Sequence, residues 1–88
     1  RPKAFARLAL DLEVLGAEGL RSRQIMIRSL GGKLWELKRL YDGIQYRLLF
    51  GVQKGAVWLL QHIEKKSPKT PKDDLELARK RLKEVMSR

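Results

Sequence analysis

Apolar residues recur at Phe5, Leu8, Leu12 and Leu15, three and four positions apart, so the stretch from Ala4 to about Leu15 reads as an amphipathic helix with one stripe toward a core. Gly16 follows where a left-handed C-terminal cap would close that helix. Leu20 to Leu30 places Arg21, Arg23 and Arg28 around Ile25-Met26-Ile27. This segment reads as a loop leading into a short strand. Its arginines could form a phosphate-facing edge; we read them as solubilising charge.

After Gly31-Gly32 the period changes to two. From Leu34 to Leu40, Trp35 and Leu37 fall on one side of a strand, with Glu36 and Lys38 on the other. Asp42-Gly43 is a two-residue hairpin signal, and Ile44, Tyr46, Leu48 and Phe50 share one side of the strand that follows. With Asp42 and Gly43 as turn residues, Tyr41 pairs with Ile44, Arg39 with Tyr46, Leu37 with Leu48 and Trp35 with Phe50. The same register sets Lys38 opposite Arg47, flanked by Glu36 and Gln45. A slip of one residue would mix the apolar and polar sets, so the pattern itself specifies the pairing.

A third strand is expected over Ala56 to Ile63, entered by a two-residue loop at Gln53-Lys54 or Lys54-Gly55. Simple alternation sends Val57, Leu59 and Ile63 to the core and puts His62 on the Lys38/Arg47 face with Trp58 and Leu60. We read Trp58 as packed rather than as a stacking platform. From Lys72 to Met86 the spacing of Leu75, Ala78, Leu82 and Val85 is again helical. Asp73 and Asp74 in the first turn and basic residues later suit the helix dipole. Arg79-Lys80-Arg81 reads as the solvated side of this helix. Thr70-Pro71 supplies an N-cap and a first helical position. No repeat or linker divides the chain, so residues 1–88 read as one domain.

Charge changes this picture. Twenty Lys and Arg stand against ten Asp and Glu, for a formal net charge of +10 in 88 residues, which calls for a polyanionic partner, nucleic acid first. An anionic membrane surface or an acidic protein would satisfy the same sign. Absence of Cys excludes disulfides and thiolate metal sites, and one His excludes a multi-histidine metal cluster, so only a carboxylate-based site would remain, and neither metal nor cofactor is expected. No apolar run reaches the roughly 18 residues a membrane helix needs, and no signal peptide is legible. The chain reads as a soluble, cytoplasmic domain with no membrane partner. It begins at Arg1 rather than Met, as an internal piece of a longer protein would.

Lys65, Lys66, Lys69 and Lys72 fall within eight residues, held extended by Pro68 and Pro71 and ending at a helix start. That combination attracts phosphate; a solvated loop is the alternative. Opposed like charges such as Lys38 and Arg47 are mildly destabilising unless an anion lies between them, or unless Glu36 partly neutralises the pair. Lys38, Arg47 and His62, joined by Glu64, Lys65, Lys66 and Lys69, would suit RNA cleavage. There the 2′-hydroxyl attacks the adjacent phosphorus, and fixed cations stabilise the charge gathering on the non-bridging oxygens. Clustered cations also lower one another's proton affinity, which lets a lysine act as general base or acid.

Four strings, in order over roughly residues 25 to 85, carry a resemblance: Leu30-Gly31-Gly32-Lys33-Leu34-Trp35-Glu36-Leu37-Lys38, Tyr46-Arg47-Leu48-Leu49-Phe50, Lys65-Lys66-Ser67-Pro68-Lys69-Thr70-Pro71 and Glu76-Leu77-Ala78-Arg79-Lys80-Arg81-Leu82. They resemble the phage Gp49-like, HigB-type branch of the RelE/ParE toxin superfamily. The resemblance implies an α+β fold, a small antiparallel sheet packed against helices as in microbial ribonucleases. It also implies a ribosome-dependent mRNA endoribonuclease neutralised by a cognate, HigA-like antitoxin with a helix-turn-helix. Arg47 matches the arginine that would stabilise the phosphorane, and Lys38 a basic position of the preceding strand. Lys65, Lys66 and Lys69 match the segment that would contact the cleaved phosphate or ribosomal RNA. The expected catalytic set is therefore Arg47, Lys38, Lys66 and His62, with Lys65, Lys69, Lys72 and Arg39 contacting RNA. Family members often carry His where this chain has Gln61, and a strand and helix upstream of the position of Arg1, so an incomplete sheet edge is expected. The same fold hosts ParE-like inhibitors of DNA gyrase, which act by binding alone, and a non-catalytic RNA-binding module is a third reading.

Overall fold

The computed structural model describes residues 2–65 and 69–88. Helix α1 (Pro2–Glu18) and a single 3₁₀ turn (Gly19–Arg21) precede four strands, β1 (Met26–Gly31), β2 (Leu34–Tyr41), β3 (Ile44–Gln53) and β4 (Ala56–Lys65), and helix α2 (Lys72–Met86) follows. The strands form one antiparallel sheet in the order β1-β2-β3-β4, each beside its neighbour in sequence. The fold is α+β, with α1 on one face of the sheet and α2 on the other. No helix among the described residues is long and apolar enough to cross a membrane.

The β2–β3 register is the one the alternation demands, from Trp35 opposite Phe50 to Tyr41 opposite Ile44. Asp42 (φ 53°) and Gly43 (φ 76°) both take left-handed backbone, and Lys54 (φ 54°) and Gly55 (φ 77°) repeat that geometry between β3 and β4. Two left-handed residues give a turn whose twist matches that of the strands. Of the two loops the sequence allowed, Lys54-Gly55 is the one used, with Gln53 paired to Ala56.

Leu37, Tyr46, Leu48 and Phe50 point from one face into Ala4, Leu8 and Leu15 of α1, with Ile25 beside them. The buried stripe of α1 is Ala4, Leu8, Asp11 and Leu15, while Phe5 is about half exposed. The helix is thus rotated from the Phe5/Leu12 stripe expected from its apolar residues. The reason is an ion pair: Arg39, on the same sheet face, donates to Asp11 through Nε (2.9 Å) and Nη2 (2.5 Å). Burial of Asp11 is acceptable because both carboxylate oxygens are engaged. Gly16 does not end α1, which continues to Glu18; the left-handed residue is Gly19 (φ 75°), from which the chain turns Leu20 back against the core.

Helix α2 covers the other face with Ala78 and Val85, and with Leu75 and Leu82 partly buried, over Leu34, Leu49, Leu60 and Ile63. Trp58 packs against this cluster, as the sequence suggested. Arg79 and Arg81 are not simply solvated. Arg79 donates to the Leu30 carbonyl (2.7 Å) at the end of β1, and Arg81 to the Leu60 carbonyl (2.6 Å) and the Gln61 side chain (2.9 Å). They pin α2 to two irregular points of the sheet, where strand carbonyls have lost ladder partners.

The second of these points corrects the reading of β4. Leu49 pairs with Gln61 but Phe50 with Leu59, so Leu60 is an extra residue, a β-bulge. Beyond it the alternation reverses phase. Ile63, opposite Arg47, enters the α2 core, and His62, opposite Leu48, turns to the α1 side.

Candidate functional site

Helix α2 covers only part of its sheet face. Toward the β2–β3 turn the same face carries Met26 and Arg28 from β1, Glu36, Lys38 and Leu40 from β2, and Gln45 and Arg47 from β3. Met26 lies opposite Lys38 and Arg28 opposite Glu36, while Lys38 faces Arg47 and Leu40 faces Gln45. Met26, Ile27, Arg28, Glu36, Lys38 and Arg47 line a hollow of about 130 Å³ here. The opposed Lys38/Arg47 pair read from the sequence is therefore real, and it lies in a concavity.

Glu36 is the hub. Both Glu36 and Arg47 are 1% exposed, joined by an Arg47 Nη1 to Glu36 Oε1 bond of 2.9 Å. Arg28 Nε donates to the same oxygen at 2.9 Å from a side chain 59% exposed, and the Thr70 hydroxyl donates to the other oxygen. Arg47 Nη2 donates in turn to Gln45 Oε1 at 2.7 Å. Burial pushes the Glu36 carboxyl upward. The Thr70 hydroxyl, the Arg47 charge and Arg28 together outweigh it and hold the group below the usual carboxylate range. Glu36 is thus an anion that orients Arg47, and it leaves the hollow with three cations against one carboxylate.

The other expected site residues divide. Lys65 ends β4 opposite Gln45, on the side of Arg47, and is exposed; Lys69 and Lys72 are also exposed, flanking Thr70 and Pro71. Lys66, with Ser67 and Pro68, lies outside the described residues. His62 is not on the cationic face. Its ring stacks on Tyr46 (centroids 6.3 Å apart, 11° between planes), meets Phe5 edge-on and lies 3.6 Å from Glu64. Sheet thickness separates it from Arg47, because the Leu60 bulge reverses its side. Arg39 likewise points to the α1 face. Its hydrogen bonds to Asp11 raise its pKa further, and that commitment removes it from an RNA-contacting set on the Arg47 face.

Thr70 was expected to cap α2. Pro71 occupies the cap position with no side-chain cap bond, and the Thr70 hydroxyl is used on Glu36 instead. Two contributors were hidden from sequence reasoning, Thr70 as an anchor and Arg28 as more than solubilising charge, while Gln45, which the register places beside Arg47, is its hydrogen-bond partner. Parity on β3 was the available signal for Gln45; the Thr70 contact spans 34 residues and leaves no local trace. Among the described residues no three His, Cys, Asp or Glu side chains converge as a metal site requires.

No curated protein and no solved structure matches the chain with significance. A sequence model of the phage-derived protein Gp49-like family (DUF891) matches residues 2–83, a span that includes α1, every strand and most of α2. With that match over nearly the whole chain, and with a four-stranded antiparallel sheet between two helices, the protein belongs to the Gp49-like family, a family of RelE-like toxins.

Proposed function

We propose that this chain is the toxin of a type II toxin–antitoxin pair and acts as a metal-independent mRNA endoribonuclease on the translating ribosome. The observation that carries the reading is the hollow in which Arg28, Lys38 and Arg47 face one carboxylate. In the reaction the substrate 2′-oxygen forms a bond to the adjacent phosphorus and the P–O5′ bond breaks, giving a 2′,3′-cyclic phosphate and a 5′-hydroxyl. Negative charge on the non-bridging oxygens meets Arg28 and Lys38 at the mouth and Arg47 behind them, fixed by Glu36 so that it need not reorganise. Lys38, an ammonium at the start, gives a proton to the departing 5′-oxygen, while the 2′-hydroxyl proton passes to water. Lys65, Lys69 and Lys72 extend the cationic track for the RNA backbone. A HigA-like antitoxin, acidic or amphipathic where it docks, would cover the same face and compete with RNA.

The near-complete burial of Arg47 favours a second reading, because a catalytic arginine must reach its phosphate. On that reading the face binds without cleaving, as ParE-like gyrase inhibitors do. The test is tightly controlled expression of wild type, Lys38→Ala, Arg47→Ala and His62→Ala, with mapping of new mRNA 5′ ends and the chemistry of the new 3′ ends. Cyclic-phosphate ends that vanish in Lys38→Ala and Arg47→Ala and persist in His62→Ala support cleavage. Growth arrest with intact mRNA, or full cleavage by folded Lys38→Ala and Arg47→Ala, would refute it.

A further inference from the structure

Strand β1 begins at Met26, opposite Lys38, so residues 39 to 41 of β2 have no β1 partner. In the notch so formed lies a second hollow, of about 170 Å³, lined by Gln24, Ile25, Met26, Lys38 and Leu40, with the Asp11–Arg39 pair at its back. It shares the Met26/Lys38 wall with the cationic hollow. Met26 and Leu40, at 63% and 61%, are the two most exposed large apolar side chains among the described residues. Leu40 lies two residues along the strand from Lys38, about 7 Å away, on the same face. Water covers these two side chains at a cost, and among the described residues neither belongs to a core cluster.

We propose that this notch is a nucleobase subsite, taking the base of the nucleotide whose phosphate lies over Lys38 and Arg47. The inference rests on the endoribonuclease reading and names what that site recognises beyond the phosphate. A cationic hollow opening into an apolar one has the sequence of chemistries found in one nucleotide, charged at the phosphate and flat and apolar at the base. Single-stranded RNA offers such bases unstacked, and apolar side chains accept their faces. Gln24 sits at the rim with its amide nitrogen donating to Glu18. With its amide nitrogen so engaged, the group it can offer a base N–H is its carbonyl oxygen.

The test compares the cleavage profile of wild type with that of Met26→Ser/Leu40→Ser and of Met26→Leu, all checked for unchanged thermal melting. The serine pair is expected to keep cutting while its preference for one base beside the scissile phosphate falls about tenfold relative to the other bases. Met26→Leu retains the wild-type preference. An unchanged profile in the serine pair, or an equal loss at every site, overturns the subsite. Unchanged cleavage together with loss of antitoxin neutralisation also overturns it and assigns the patch to a protein partner. Failure of the wild type to cleave RNA at all is a separate result, which removes the functional reading and the subsite with it.

Discussion

Removing the Glu36 carboxylate should destabilise the fold far more than removing the whole Glu36–Arg47 pair. Both side chains are 1% exposed and 2.9 Å apart, so Glu36→Ala leaves the Arg47 guanidinium in the sheet interior with Gln45 but without its counter-charge. Breaking a buried pair in this way costs about 3–5 kcal/mol. Loss of the Thr70 hydrogen bond adds about 1 kcal/mol, and loss of Arg28 little, since that side chain is mostly in water. A domain of this length holds only roughly 4–13 kcal/mol in total. The single variant is therefore expected to melt at least about 10 °C lower or to be partly unfolded at room temperature. Replacing both residues by apolar ones, Glu36→Leu with Arg47→Met, should recover most of the loss, because no charge is then stranded. Urea unfolding followed by fluorescence is well suited, since Trp35 packs in the α1 core and Trp58 in the α2 core and their transitions should coincide. Additive effects, within about 0.5 kcal/mol, would refute the claim that the two charges act as a buried unit.

The same network sets an acid limit. The folded pKa of Glu36 is lowered from 4.5, so its stabilisation is complete above that value and is lost as pH falls through the folded one; Glu36→Gln should flatten the stability profile below about pH 4.5, measured by urea midpoints. Where α2 crosses β3, a methyl added at Gly51 would stand 2.6 Å from Leu82 Cδ1, and Gly51→Ala should cost no more than about 1 kcal/mol, because the end of the Leu82 side chain can turn aside while α2 stays in place. Combining it with Leu82→Ala should cost less than the sum of the two, as read from melting temperatures.

Much of the frame was legible because its signals are local. The Asp42-Gly43 turn and the alternation on either side of it specify one register between β2 and β3, and Leu75, Ala78, Leu82 and Val85 specify the buried face of α2. Reading failed where a tertiary contact overrode a period. In β4, alternation counted from the turn puts His62 beside Arg47; the run Trp58-Leu59-Leu60 is apolar on both sides, and only packing under α2 decides that Leu60 is the extra residue. In α1 the buried face is chosen by Asp11, a polar residue that periodicity assigns to solvent. For the site, parity found Lys38 and Arg47 together with Glu36 and Gln45, which hold Arg47, but what fixes Glu36 in turn comes from Arg28 on a neighbouring strand and from Thr70 beyond the sheet.

The reach of Thr70 back to Glu36 also has a consequence for the order in which the molecule is made. Every strand is joined to its neighbour by a short turn, so the sheet can close hairpin by hairpin as the chain is synthesised. Thr70 and α2 are made after all four strands. Until they emerge, Leu34, Leu49, Leu60 and Ile63 lack their cover and Glu36 lacks one of its donors. The cationic hollow therefore matures only after all four strands have been made, so the sheet can close well before the site it carries is complete.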